Sequence, residues 1–582
     1  MIKKKQKNRE KFWFSSCLFV PLQRKLLKMM MMRKFFFLIA LFATTLQMGA
    51  QTFDDLPTPG GEEKVIDNTP DSIAKALMNR PAPGSTRKGT NPVLFLIGNS
   101  TMRNGTMGNG NNGQWGWGYF ASDFFDGRKI SVENQALGGM STRNFYTDLW
   151  PAVRQALKPG DWVIVSIGHN DHADFFDAKR ARGVIDGVAE DTLITGFNLR
   201  KQVNDTVYSY GHYLRCYIRE IREAGANAIL MSLTPRDAYD DRGLIIRKPQ
   251  TQWAAYVAAT EGVPFVDLNE ISGSKLDSYS LWKKKYHFYG DKIHTSAFGA
   301  RLNARSAAEG IYYSNHPQLK PLQELMVNVQ CSMVNVDRSS GRPVVFICGD
   351  STVKNDDKAD HTGMWGWGSL AKTVFDTTKI TVCNQAIPGR STRKFLNDGR
   401  WERVYNSLQP GDFVLLQFGH NDIGNLTDKK ARAVIASAED TCHVYQIEDD
   451  GRYELIYSFG WYLKKFIDDV REKGATPVLL SLTPRNEWPN GKIERRDDSY
   501  GRWYRDVVAE TGVDFVDIHN ISADFLDKKF ASKDPEKCKQ KAAVYFNHDH
   551  THTSYLGAQM NARSLAKGLK LIHSPLAAYL KK

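Results

Sequence analysis

Two serines in this 582-residue chain stand just behind apolar runs, Ser100 after Val93–Ile97 and Ser351 after Val344–Cys348. A glycine follows the second apolar run of each half (Gly139, Gly389), an asparagine the third (Asn170, Asn421), and an Asp-x-x-His string closes each half (Asp291 to His294, Asp549 to His552). These residue types can build an acyl-transfer site. A serine nucleophile needs a base to take its proton, and the imidazole needs a carboxylate to hold its tautomer. The oxyanion that then forms needs N–H donors, which a backbone glycine and an asparagine amide can supply.

The elements that must position them follow from the hydropathy pattern. Val93–Ile97, Lys129–Val132, Trp162–Ile167, Ala228–Ser232 and Pro264–Leu268 read as strands, mostly continuous aliphatic runs of the kind buried on both faces. Amphipathic stretches lie between them, such as Tyr208 to Ala224 before Gly225 and Tyr457 to Lys473 before Gly474. Alternating strand and helix predicts an α/β fold, a parallel sheet with helices on both sides. Ligands of such sheets bind at the carboxyl ends of the strands, where the polar motifs fall.

The pattern occurs twice. Trp115-Gly116-Trp117-Gly118 matches Trp365-Gly366-Trp367-Gly368, Gly168-His169-Asn170-Asp171 matches Gly419-His420-Asn421-Asp422, and Ser232-Leu233-Thr234-Pro235-Arg236 matches Ser481-Leu482-Thr483-Pro484-Arg485. Motif order is kept at an offset of about 250 residues, which reads as duplication of a whole domain. The expected organisation is a leader over 1–50, a lead-in over 51–90, a first domain over 91–320, a linker over 321–342 and a second domain over 343–582.

Gly349-Asp350-Ser351, Gly389, Asn421 and Asp549-x-x-His552 resemble the four blocks of the SGNH (GDSL) hydrolase family. The fuller strings Gly349-Asp350-Ser351-Thr352-Val353, Asn384 to Ser391 and Phe418-Gly419-His420-Asn421-Asp422 resemble its rhamnogalacturonan acetylesterase branch. The resemblance implies two flavodoxin-like three-layer α/β/α domains, no metal or other cofactor, and removal of acetyl groups from plant pectin. It makes Ser351 the nucleophile, His552 its base and Asp549 the orienting carboxylate, with Ser351 N–H, Gly389 N–H and the Asn421 amide as the oxyanion hole. In the first half it assigns the same roles to Ser100, His294, Asp291, Gly139 and Asn170. That half departs from the pattern at Asn99, where the family has Asp, and at Met140, where the second half has Arg390.

Other features were weighed against plainer readings. Arg390 and Arg393 could pair with a galacturonate carboxylate or form internal salt bridges. At least one tryptophan of each Trp-Gly-Trp-Gly pair is expected in the core rather than under a sugar ring. Gly108 to Gly113 spells a dinucleotide fingerprint but stands eleven residues beyond its strand, which argues against a cofactor. His548 and His550 are expected to be loop residues beside His552, not metal ligands; His169 and His420 are expected to brace a loop. Lys283-Lys284-Lys285 reads as a solvated surface, and most of the cysteines as buried free thiols.

Net charge is +14, which taken alone suggests nucleic acid. Residues 1–50, however, hold 11 Lys/Arg against the single acid Glu10, so +10 of it lies there and +4 over the remaining 532 residues. Arg33-Lys34, the apolar run Phe35 to Phe42 and a small residue at Ala50 read as a secretory signal cut after Ala50. The expectation is an exported protein, periplasmic or extracellular, with no stable membrane span after cleavage. Its partner would be acetylated plant cell-wall polysaccharide, not nucleic acid. The alternatives are an acetylesterase for xylan or another glycan, a lipid or thioester hydrolase, and a carbohydrate-binding protein with one or both halves inactive.

Overall fold

The computed structural model describes residues 80–103, 110, 113–330, 333–354, 363–449 and 453–582. The leader, most of the lead-in, most of Gly108–Gly113 and Cys331 lie outside the described residues. The first repeat is built on β1 (Val93–Gly98), β2 (Ser131–Asn134), β3 (Trp162–Ser166), β6 (Asn227–Met231) and β7 (Phe265–Val266). Every neighbouring pair is parallel, in the order β2-β1-β3-β6-β7. All six residues of β1 are buried. Val93, Phe95 and Ile97 enter one apolar core and Leu94 and Leu96 another, because successive side chains of a strand point to opposite faces. The first core is closed by α2 (Tyr210–Glu223) and the second by α4 (Ala297–Tyr312), which makes three layers. Two shorter helices, α1 (Thr142–Asp148) and α3 (Leu281–Lys285), complete the elements used below.

The second repeat follows the same plan with β8 (Val344–Gly349), β9 (Thr381–Asn384), β10 (Phe413–Gln417), β13 (Thr476–Leu480) and β14 (Asp514–Val516), in the order β9-β8-β10-β13-β14. Its helices include α5 (Thr392–Asn397), α6 (Phe459–Glu472) and α7 (Tyr555–Leu571). The chain order reverses direction between β1 and β3, and between β8 and β10. That switch point leaves a crevice at the strand ends, where Ser100 and Ser351 emerge.

Each repeat also carries an antiparallel hairpin that the hydropathy pattern does not reveal. It consists of β4 (Leu193–Asn198) with β5 (Val203–Tyr208), and β11 (Cys442–Gln446) with β12 (Tyr453–Tyr457). Because β5 runs to Tyr208, helix α2 begins only at Tyr210, capped by the Ser209 side chain accepting from His212 N.

The repeats pack against one another through α3, α4 and α6. The indole of Trp461 stacks on Tyr457 at 3.7 Å and contacts Trp282 and Phe298 of the first repeat. Lys283 is 4% exposed and its Nζ lies 2.7 Å from Asp469 and 2.5 Å from Glu472. The lysine run is therefore not a solvated surface: Lys283 and Lys284 are buried, and the ammonium of Lys283 is neutralised by acids of the second repeat. Cys216, Cys348, Cys442 and Cys538 are buried free thiols, and Cys383 is half-buried and free.

Candidate active site

The turn after β1 is fixed by its first side chain. Asn99 Oδ1 accepts from Thr101 N (3.1 Å) and Thr101 Oγ1 (2.9 Å), which folds the chain back so that Ser100 stands out between them. Asp350 Oδ1 does the same for Thr352, both at 2.8 Å. The two repeats differ in the other atom. Asp350 Oδ2 accepts from the Asn421 amide at 3.3 Å, whereas Asn99 Nδ2 is buried with no partner among the described residues.

The three residues of each His-Thr-Ser motif have three jobs. His294 Nε2 lies 2.7 Å from Ser100 Oγ, and His552 Nε2 lies 2.8 Å from Ser351 Oγ. Thr295 pairs with Trp115 (Trp115 N to Thr295 O 3.0 Å, Thr295 Oγ1 to Trp115 O 2.7 Å), and Thr553 pairs likewise with Trp365. Ser296 and Ser554 cap α4 and α7. The histidine is thus clamped between a short bridge and a helix start. Behind it, His294 Nδ1 is hydrogen-bonded to Asp291 Oδ2, and His552 Nδ1 lies 2.6 Å from Asp549 Oδ2. The other carboxylate oxygen accepts the histidine's own backbone N–H, at 2.8 Å and 2.7 Å. Burial pushes both carboxyls up, but these hydrogen bonds outweigh it and hold both below the ordinary aspartate value. An ionised aspartate keeps the proton on Nδ1 and leaves the Nε2 lone pair facing the serine.

Opposite the serine, Gly139 and Gly389 adopt φ of 78° and 73°. A Cβ at Gly389 would meet nothing within 4 Å, so the glycine is there for its left-handed backbone and not for lack of space. The next carbonyl binds the asparagine: Asn170 Nδ2 donates to Met140 O (3.0 Å) and Asn421 Nδ2 to Arg390 O (3.2 Å), which ties the glycine and asparagine donors into one unit. Below them, Thr142 and Thr392 donate from backbone and side chain to the buried Asp171 and Asp422. Burial raises these carboxyls to about 6 and about 7. His169 and His420 are held by Thr234 Oγ1 (3.0 Å) and Thr483 Oγ1 (3.3 Å), and burial lowers both well below the usual histidine range. They brace the loop as neutral rings held by the threonine of the Ser-Leu-Thr-Pro-Arg motif, and Arg236 of that motif donates to His169 O at 3.0 Å.

Arg393 is fully buried and doubly bonded to Glu454 at 2.8 Å, with its Nη1 on Leu426 O and Ala433 O. Of the two roles weighed for it, it takes the internal salt bridge. Arg390 is half-exposed beside the glycine donor, with Nε 3.0 Å from Asp398. Trp117 and Trp367 are core residues, and Trp367 Nε1 donates to Gln417 at 2.8 Å. His550 lies 3.3 Å from Glu487, and no cluster of three His, Cys, Asp or Glu side chains able to hold a metal occurs among the described residues.

Sequence reasoning missed Arg182 and Arg432. Arg432 Nη1 donates to Asn421 Oδ1 at 2.9 Å, which fixes the amide so that its N–H groups face the site, while Arg182 Nη1 donates to Gly139 O at 3.2 Å. Each follows an alanine in the left-handed region, Ala181 at φ 42° and Ala431 at φ 47°. Strain of this kind costs on the order of 1–3 kcal/mol and clusters at functional sites. The available signal was the repeated string Ala-Arg-x-Val-Ile at 181–185 and 431–435.

Residues 96–302 and 347–559 both match the model of the GDSL-like Lipase/Acylhydrolase family. A rhamnogalacturonan acetylesterase of Emericella nidulans is 26% identical over 245 residues, 42% of this chain and 91% of that protein. A probable rhamnogalacturonan acetylesterase of Bacillus subtilis, YesY, is 29% identical over 238 residues, 40% of this chain and 94% of that protein. Among solved structures, an acetylxylan esterase from Geobacillus stearothermophilus aligns at 19% identity and a TM-score of 0.27, covering 39% of this chain and 96% of its own.

Proposed function

The chain belongs, through both repeats, to the GDSL-like lipase/acylhydrolase family and is a carboxylic ester hydrolase; on that premise we propose that it is an exported serine esterase that removes O-acetyl groups from pectic polysaccharide, rhamnogalacturonan in particular. The observation that carries the proposal is the serine–histidine–aspartate array, complete in each repeat and faced by a glycine and an asparagine. The names of the two relatives support the glycan, and the basic residues around the glycine donors suit an acidic one. The composition of residues 1–50 supports export.

In the proposed cycle Ser351 Oγ attacks the acetyl carbonyl as His552 Nε2 takes its proton. The oxyanion is held by Ser351 N–H, Gly389 N–H and Asn421 Nδ2. His552 then protonates the departing sugar oxygen, leaving an acetyl-serine. Water, deprotonated by the same Nε2, attacks that ester and restores Ser351 with release of acetate. Ser100, His294, Asp291, Gly139 and Asn170 perform the same steps in the first repeat. Acetate release from acetylated rhamnogalacturonan, acetylated xylan and a short aryl acetate tests the reading. Preference for the first is expected. Equal or better release from xylan would overturn the pectic substrate, and no release from any would overturn the esterase.

A further inference from the structure

Beside Gly139 the first repeat has a shallow, open cleft with an unusual lining. Lys179, Arg180, Arg182 and Arg200 converge on it together with Gly138, Gly139, Met140 and Asn144, and no carboxylate of the described residues lines it. Two of the cations donate to backbone carbonyls: Arg182 to Gly139 O, and Arg200 to Arg180 O at 3.2 Å. The carboxylates that act on Arg182 are Asp171 and Asp177. Asp171 is committed to Thr142, and Asp177 to the backbone amides of Lys179, Arg180 and Ala181. Burial, followed by repulsion from Arg180, lowers Arg182 to about 10. Two buried polar atoms in the lining reach no partner among the described residues, Arg182 Nε and the acceptor Asn144 Oδ1, and Asn144 is only 3% exposed. A cluster of like charges with unspent hydrogen-bonding capacity is costly to fold unless an anion completes it.

The second repeat places acids in the same region. The chain between the paired strands reads Leu199-Arg200-Lys201-Gln202 in the first repeat, whereas the sequence from 447 to 452 in the second holds three acids and one arginine. Glu448 bonds Asn425 and Thr427, just before Lys429 and Lys430. Arg390, standing where the first repeat has Met140, is paired with Asp398.

We propose that the cleft of the first repeat is a carboxylate subsite that holds a uronate residue of the glycan beside the acetyl group that Ser100 removes, and that the second repeat lacks it. Arginine forks suit a planar carboxylate. The two repeats then divide one polymer, the first acting next to acidic residues and the second independently of them. The inference rests on Ser100 being an esterase nucleophile, but its test does not need turnover.

The test is calorimetric titration of the Ser100→Ala/Ser351→Ala protein with oligogalacturonate and with a neutral xylo-oligosaccharide. Tighter, salt-sensitive binding of the oligogalacturonate is expected, weakened at least fivefold by Arg200→Asp, which reverses the charge at that position, and largely restored by Arg200→Lys. Lys179→Gln, on an exposed side chain, should weaken it in the same direction. Equal affinity for the two oligosaccharides, or affinity unchanged by both Arg200→Asp and Lys179→Gln, would overturn the subsite. Wild-type protein that binds oligogalacturonate in this way but hydrolyses no acetyl ester would instead overturn the esterase reading and leave the subsite standing.

Discussion

Asp350 Oδ2 accepts a hydrogen bond from the amide of Asn421 at 3.3 Å, and the matching Asn99 cannot make this contact to Asn170 through its own amide nitrogen, which has no partner among the described residues. The second repeat therefore fixes its oxyanion amide from three sides, through Arg390 O, Asp350 and Arg432, while in the first the amide nitrogen is tied only to Met140 O. Asn99→Asp in a Ser351→Ala background should raise kcat on a short aryl acetate about threefold, equivalent to about 0.7 kcal/mol, with little change in KM. A fall in kcat would mean that the asparagine is an adaptation and not a defect.

Removing the donor itself should cost far more. Asn421→Ala in a Ser100→Ala background should lower kcat by about 100- to 1,000-fold. Arg432 acts through that amide, so Arg432→Gln should lower kcat by about tenfold with KM nearly unchanged, as loss of an interaction made mainly in the transition state. Arg432→Lys should recover part of it. A rise in KM alone would show that Arg432 contacts the substrate instead.

The contact between the repeats depends on a buried charge cluster. Lys283→Met leaves Asp469 with Lys465 as its remaining cation and strips Glu472 of its partner across the interface. Breaking a buried pair from one side costs about 3–5 kcal/mol. Because Lys465 remains, the expected loss is about 3 kcal/mol or less, read as a lower denaturation midpoint. An unchanged midpoint would show that the cluster contributes nothing net.

Stability should also carry a signature of Asp422. Burial raises its folded value to about 7, above the ordinary aspartate value of 3.8. The folded state thus binds more protons than the unfolded one between these values. Its contribution is fully present below about pH 4 and is lost as pH rises through about 7. Asp422→Asn, which keeps an oxygen for Thr392, should flatten the fall of Tm across this window. The same slope in wild type and variant would show that Asp422 is not the group responsible.

What the sequence disclosed follows from where each residue sits. Ser100, Asn170 and their partners follow buried strands directly, and Asp291 to His294 spans one tight turn, so order and spacing alone placed them. Ser141, Ser391, Ser296 and Ser554 could be read as motif members but not as helix caps, since their role depends on where the helix starts. Arg432 was hidden because it reaches Asn421 from a loop bent by a left-handed alanine, a conformation no propensity predicts at Ala431. Lys283 was misread because its burial is imposed by residues of the other repeat, almost 190 positions away, and local charge patterning carries no trace of them. Arg390 and Arg393 look alike in sequence; only the Glu454 carboxylate, brought in by β12, separates a core residue from a half-exposed one.

The central claim is that the chain carries two independent acyl-transfer sites. Acetate release from acetylated rhamnogalacturonan by wild type, Ser100→Ala, Ser351→Ala and the double variant measures it most directly. Activity in each single variant and none in the double is predicted. Release that survives the double substitution, or that vanishes in Ser351→Ala alone, would contradict it.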